Sequence, residues 1–183
     1  MQLLIVGLDG LSYNMLDRFD VDSHFLSSVR TSGISGDLQS VDTPTTLPAW
    51  TSFATGTDPG THGTATMTQQ NFDYSTSPAR TNTTEPAAYD LLDNSLFINL
   101  PASNGRIPAA DGTHLVSSML AKDENDAVPS ELQDLDSYED YVLDHDASLK
   151  VRPNKYVDHV ENIIDARYEF AREAFETHEP RVG

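Results

Sequence analysis

The run Leu3-Leu4-Ile5-Val6-Gly7-Leu8, stopped by Asp9-Gly10, constrains the fold of this chain more than any other segment. A continuous apolar stretch of this length has no polar side to turn toward water, so it reads as a strand buried on both faces of a parallel sheet. Asp9 then stands at the carboxyl end of that strand. Ligands of open α/β sheets bind beyond those ends, which makes a carboxylate there a candidate for holding a metal ion. An Asp-Gly turn with a capping carboxylate accounts for the same two residues, and Asp9 alone does not separate the two readings.

A second segment, Thr43-Pro44-Thr45-Thr46-Leu47-Pro48-Ala49-Trp50-Thr51-Ser52-Phe53-Ala54-Thr55-Gly56, sets a hydroxyl-rich turn ahead of a short helix. Pro48 is expected as the first helical residue, because its missing N–H is an orphan donor there anyway, and Gly56 fits the position just past the end. Thr46 is thereby placed at the positive end of a helix. Unpaired backbone N–H groups and the helix dipole favour an anion at that end, either a phosphate or a deprotonated hydroxyl. Hydroxyl residues in front of helices are usually caps, so this segment alone supports capping better than catalysis.

Taken in order, Asp9 after the first strand, then Thr46-x-Pro48, then Thr55-Gly56-x-x-Pro59-x-x-His62-Gly63 form a far more specific set. Through Gly7-Leu8-Asp9-Gly10 and the unbroken stretch from Thr46 to Gly63 the chain resembles the type I phosphodiesterase and nucleotide pyrophosphatase branch of the alkaline phosphatase superfamily. The resemblance is strong over residues 1 to 63. It continues more weakly through Phe97-Ile98-Asn99-Leu100-Pro101 and Gly112-Thr113-His114-Leu115-Val116-Ser117-Ser118-Met119-Leu120.

The resemblance implies an alkaline-phosphatase-like, mostly parallel sheet flanked by helices. It also implies two divalent metal ions, usually zinc or manganese, with Asp9 and the nucleophile Thr46 contacting one of them. Thr45 is the alternative nucleophile if the register is displaced by one. A free threonine hydroxyl is a poor nucleophile near neutral pH, and coordination to a divalent cation lowers its pKa. The implied reaction is in-line displacement at phosphorus through a phospho-threonine that water then hydrolyses. Nucleotide pyrophosphatases carry an Asn after the Pro, where this chain has Ala49 followed by Trp50, so phosphoesters in general are better supported than nucleotides. The family's remaining Asp and His ligands have no clear counterpart in residues 64 to 183. The expectation is therefore the N-terminal part of one such domain, incomplete by itself, with 101–150 as a cap or insertion and Glu179-Pro180-Arg181-Val182-Gly183 opening another strand.

Composition narrows the alternatives. Asp and Glu number 29 against 11 Lys and Arg, a formal net charge of −18, which repels nucleic-acid polymers and anionic lipid. The acids are spread along the whole chain, Asp outnumbers Glu, and Lys122, Lys150 and Lys155 are its lysines. That pattern reads as the solvated surface of a halophile's protein, against an acidic protein-binding face. Cysteine is absent, which excludes thiol nucleophiles, thiolate ligands and disulfides, and Thr46 cannot be converted into a sulfatase's modified nucleophile. No segment approaches the roughly 20 apolar residues of a membrane span, and no leader pattern precedes Leu3, so a cytoplasmic location is expected. The Asn82-Thr83-Thr84 sequon is then chance.

Along the chain, Ser12 is expected to cap a helix through Phe19, Gly36 to Val41 to form a second strand, and residues 64 to 84 a polar surface loop. Pro86 opens a helix through Leu92, Ser95 to Leu100 forms a buried strand, and residues 101 to 137 are irregular. Asn154 to His178 has helical spacing, with Val157, Val160, Ile164, Tyr168, Ala171 and Phe175 on one face. Among histidines, His62 is expected to shape its loop. His145, between Asp144 and Asp146, resembles a ligand cluster only superficially, since adjacent residues of an extended segment point apart. His159 and His178 belong to the long helix, and His114 carries no assignment. Gly56 to Gly63 contains no Lys to reach a phosphate and is no P-loop, and Asp134 to Asp146 lacks the sixth-position Gly of an EF-hand.

The reading is thus an α/β, metal-dependent phosphoester hydrolase acting on a small-molecule phosphoester. Phosphodiester cleavage is preferred, with a phosphomonoesterase, a phosphomutase or a non-catalytic acidic binding domain as alternatives. If the acidic surface is a halophilic one, the melting temperature rises steadily with KCl concentration; a stability maximum at low salt contradicts it.

Overall fold

A computed structural model describes residues 3–19, 24–78, 83–103, 105–117, 127–142 and 145–183. In chain order the helices are α1 (Tyr13–Arg18), α2 (His24–Ser32), α3 (Thr46–Thr55), α4 (Pro59–His62), α5 (Ala88–Leu91) and α6 (Pro153–His178). The strands are β1 (Thr68–Gln70), β2 (Thr76–Pro78), β3 (Leu96–Leu100), β4 (His114–Ser117) and β5 (Ala127–Val128), with short 3₁₀ turns between β5 and α6. Asn82, Asp144 and the stretch Ser118-Met119-Leu120, which the sequence reading touched on, lie outside the described residues.

β3 and β4 run parallel at the centre, and β5 adds antiparallel to β4. On the far side of β3, parallel bridges join Ser95 to Val182 and Val182 to Leu3. The order is thus Leu3, Val182, β3, β4, β5, a mostly parallel sheet with one antiparallel edge. Val116 faces α6 and Leu115 faces the opposite side, as the two-residue period of a strand requires. On the α6 side Leu96, Val116, Ala127, Leu132, Phe170 and Ala174 form one core. Phe170 is fully buried and touches Tyr138 and Tyr141 at ring separations of 5.7 and 4.8 Å. On the other side Leu100 and Leu115 pack with Ala54 of α3 and with Ala87 and Tyr89 around α5, joined by Trp50 and Phe97. Both faces being covered, the architecture is α/β, in line with the fold class read from the sequence.

A bulge in β3 makes this possible. Leu96, Phe97 and Ile98 pair in step with His114, Leu115 and Val116, then the register shifts so that Leu100 meets Ser117. Asn99, at φ +56°, absorbs the extra residue. The shift turns Leu100 from the α6 side, where strict alternation would aim it, to the α3 side beside Phe97.

Several elements differ from expectation. Leu3 to Leu8 is extended but forms only the Leu3 bridge, and Leu4 and Val6 are 68% and 64% exposed, so the run is not a doubly buried strand. It is paired along one edge only, by Leu3 N–H to Arg181 and Ile5 N–H to Gly183, and the neighbouring α1 and α2 bury no residue. Gly36 to Val41 is not a strand, since no described segment pairs with it. The 64–84 segment contains the β1–β2 hairpin rather than plain loop, α5 is shorter than the 86–92 helix, and the 101–137 stretch supplies β4 and β5. α2 has no counterpart in the sequence reading.

Ser12 caps α1 by accepting the Met15 N–H, as expected. The long helix forms as expected too, but Ile163, Phe170 and Ala174 are its buried residues while Val157, Ile164 and Tyr168 are exposed. Of the face expected from spacing, Phe175 packs against the core and Val160 and Ala171 are half-buried, so the face the sheet covers is rotated from the expected one rather than opposite to it. Among the described residues no helix is long and apolar enough to cross a membrane. Phe170→Ala should cost about 3–5 kcal/mol of unfolding free energy, while Val157→Ala should stay within about 0.5 kcal/mol. Urea titrations of the two variants check this, and equal losses contradict the assignment of the buried stripe.

Candidate functional site

Asp9, Thr46 and Trp50 meet at one corner. The Thr46 hydroxyl donates to Asp9 Oδ2 at 3.0 Å, and the Trp50 indole N–H donates to Asp9 Oδ1 at 3.0 Å. Each carboxylate oxygen thus has its own donor from the first turn and a half of α3. Thr46 and Trp50 are four residues apart, the spacing that stacks side chains on one helix face. Asp9 is exposed and Thr46 and Trp50 are half-buried, so the corner is open to a ligand from one side.

Residues on either side of this corner hold α3 in place. α3 begins at Thr46, two residues before the Pro48 start expected from sequence, with Thr45 in the cap position. Pro48 is therefore the third helical residue, where an N–H is still an orphan and its absence costs nothing. Thr45 makes no side-chain cap hydrogen bond, and the Thr46 side chain reaches Asp9, so neither hydroxyl caps the helix. Ala49 N–H bonds to the Thr45 carbonyl, and Leu47 N–H points at Met67 Sδ at 3.3 Å. Gly56 ends the helix at φ +68°, its N–H on the Ser52 carbonyl.

Behind α3, Asp58 caps α4 by accepting the Gly60 and Thr61 N–H groups, and Gly63 closes it at φ +75°. His62 is 2% exposed in this unit. Its Nδ1 accepts the Thr64 N–H at 3.1 Å, so Nε2 carries the proton and donates to Ser52 Oγ at 2.8 Å. A histidine that donates to a serine is no base toward it, and His62 therefore pins α4 to α3, the loop-shaping part expected of it.

Beside Asp9 lies a cleft of about 220 Å³, walled by Ile5, Gly7, Trp50, Phe53 and the Leu96–Pro101 strand end. None of the histidines at 114, 145, 159 and 178 lines it. His114 stacks on His178 at 3.9 Å, His145 meets Tyr156 edge-on at 5.7 Å, and His159 Nε2 accepts the Asp146 N–H at 3.0 Å. Among the described residues no three His, Asp or Glu side chains gather as a metal-binding group. Asp9 and Thr46 offer a carboxylate and a hydroxyl oxygen 3.0 Å apart, a hard donor pair that fits a divalent cation as two of its ligands.

Sequence reasoning brought Asp9 and Thr46 forward but gave Trp50 and Gly7 no part. The signal for Trp50 was its four-residue spacing from Thr46. Gly7 interrupts the apolar run because a methyl group there would lie 2.2 Å from Trp50 Cη2.

The chain matches the family model for type I phosphodiesterase / nucleotide pyrophosphatase over residues 3–176. No curated protein and no solved structure matches it.

Burial lowers the pKa of His62 below its ordinary 6.5, against the pull of Asp58, and burial with the neighbouring His178 lowers that of His114. Both rings are favoured neutral in the fold, so their stabilisation is present above pH 6.5 and is lost as the pH falls through their depressed folded values. The urea midpoint should therefore decline below about pH 6.5, less steeply in His62→Gln; a midpoint that rises on acidification from pH 7 to 5 contradicts the assignment.

Proposed function

The chain belongs to the type I phosphodiesterase / nucleotide pyrophosphatase family, and from that premise we propose that it is a metal-dependent phosphoester hydrolase with Thr46 as nucleophile and Asp9 as a metal ligand. The observation that carries the reading is the Thr46 hydroxyl at the first position of α3, hydrogen-bonded to Asp9 Oδ2. Family membership supports phosphoester hydrolysis in general; phosphodiester cleavage, the covalent step and the choice between zinc and manganese belong to the proposal.

In the resting site the Thr46 hydroxyl donates its proton in a hydrogen bond to Asp9 Oδ2. A divalent cation, when bound, makes that proton easier to lose and neutralises charge on the phosphoryl group. Thr46 Oγ1 then attacks phosphorus in line with the leaving oxygen. The Thr46 proton passes to solvent water, the new P–Oγ1 bond forms as the ester P–O bond breaks, and the leaving group departs with the electron pair and takes up that proton equivalent from solvent. The positive end of α3 favours the anionic phosphoryl oxygens beside Thr46. Water then attacks phosphorus, the P–Oγ1 bond breaks, Oγ1 takes up a proton to restore the hydroxyl, and the phosphate monoester is released with the second water proton going to solvent. The further ligands that a two-metal site requires lie outside this corner.

Hydrolysis of a p-nitrophenyl phosphodiester with zinc or manganese added tests the reading. Thr46→Ala should lower kcat by about 10³-fold or more, because the nucleophile has no substitute, while Thr46→Ser keeps measurable turnover. Thr45→Ala should stay within a few-fold of wild type. Wild-type turnover in Thr46→Ala, or its loss in Thr45→Ala instead, contradicts the assignment.

A further inference from the structure

Trp50 is the only tryptophan in the chain, and its indole N–H is spent on Asp9. A carboxylate at the end of an extended segment is free to turn about its Cβ–Cγ bond. Here one donor on each oxygen, Trp50 on Oδ1 and Thr46 on Oδ2, leaves a single orientation that satisfies both. The indole is itself held: its ring lies on the bare backbone of Gly7, where an added methyl would come within 2.2 Å of Cη2, and it packs T-shaped on Phe53 at 5.5 Å. The space left by Gly7, the seated indole and the oriented carboxylate form one chain of contacts leading to Thr46.

We infer that Trp50 is a positioning residue whose indole N–H fixes the Asp9 carboxylate for metal binding, with Gly7 supplying the room its ring needs. The inference rests on the reading of Asp9 as a metal ligand. With Oδ1 engaged by the indole, Oδ2 is the oxygen left to share between Thr46 and a cation. Hydrogen-bonding partners that orient metal ligands are typically worth about 10- to 100-fold in metal affinity. Trp50→Phe keeps an aromatic ring toward Phe53 and removes the donor together with the far ring edge that lies over Gly7. Gly7→Ala keeps the donor and pushes the ring away from its seat.

A ¹⁵N-labelled sample shows one indole N–H resonance, since there is one tryptophan. That resonance should move in Asp9→Asn, and it should move on adding Zn²⁺ to the wild type but not to Asp9→Asn. In competition with a chromophoric chelator, Trp50→Phe should bind Zn²⁺ about 10- to 100-fold more weakly than wild type, with its metal-free melting temperature little changed. Gly7→Ala should lose a similar factor, and the Gly7→Ala/Trp50→Phe double variant no more than either single one, because both act on the same bond. Zn²⁺ affinity equal to wild type in Trp50→Phe, alongside loss of binding in Asp9→Ala, overturns the positioning role and leaves the metal-ligand reading standing. Equal Zn²⁺ binding by wild type and Asp9→Ala overturns both. Should Trp50→Phe fail to fold, the resonance decides: an indole signal indifferent to Asp9→Asn overturns the inference.

Discussion

The carboxylate of Asp9 ties the end of an extended segment to a helix that begins 37 residues later. Its two oxygens accept one side-chain hydrogen bond each, from Thr46 and from Trp50, and those donors lie one turn apart on α3. A carboxylate without partners at such a place would turn freely and sit at no fixed distance from the hydroxyl. With both donors in place the hydroxyl, the carboxylate and the helix N-terminus converge on one point. The frame behind them is equally specific, since His62 pins α4 to α3 through Ser52, and Ala54 seats α3 in the core that Leu100 and Leu115 of the sheet help to form.

The sheet serves this corner by bringing β3 up beside it. The Asn99 bulge turns Leu100 to the α3 side, beside Phe97, and the same strand end walls the cleft next to Asp9. The opposite face is a separate matter of packing, where Phe170 and its tyrosine neighbours fasten α6 to the sheet. The candidate site thus lies on the α3 side, which carries a core of its own, and the larger aromatic packing lies on the α6 side. The charge of −18 is compatible with this arrangement, because among the described residues no Asp or Glu belongs to either core.

What was legible in the sequence was local. The Gly56 helix end, the α3 segment, the β3 strand and the long helix follow from turn chemistry and periodicity acting over a few residues. The pairing of Asp9 with Thr46 was legible only as an ordered set of residues resembling a family, because no local rule links positions 37 residues apart. Leu3 to Leu8 misled for a related reason: its composition suits a doubly covered strand, but burial depends on what lies on each side, and here Arg181 and Gly183 meet it along one edge. β4 was hidden by the Pro-, Gly- and Asp-rich sequence around it, and the buried face of α6 by further apolar residues beside it on the same helix. The part played by Trp50 was available from its spacing to Thr46, but only once Asp9 was known to lie opposite.

The account stands or falls on Thr46 as the atom that takes the phosphoryl group. The most direct measurement is acid quenching of the protein during turnover of a phosphodiester, followed by peptide mass spectrometry. A peptide heavier by the mass of one transferred phosphoryl ester, with the added group located on Thr46, is the predicted result. Turnover with the group on Thr45, or with no covalent adduct at any quench time while isotopically labelled water adds to phosphorus in one step, would contradict it.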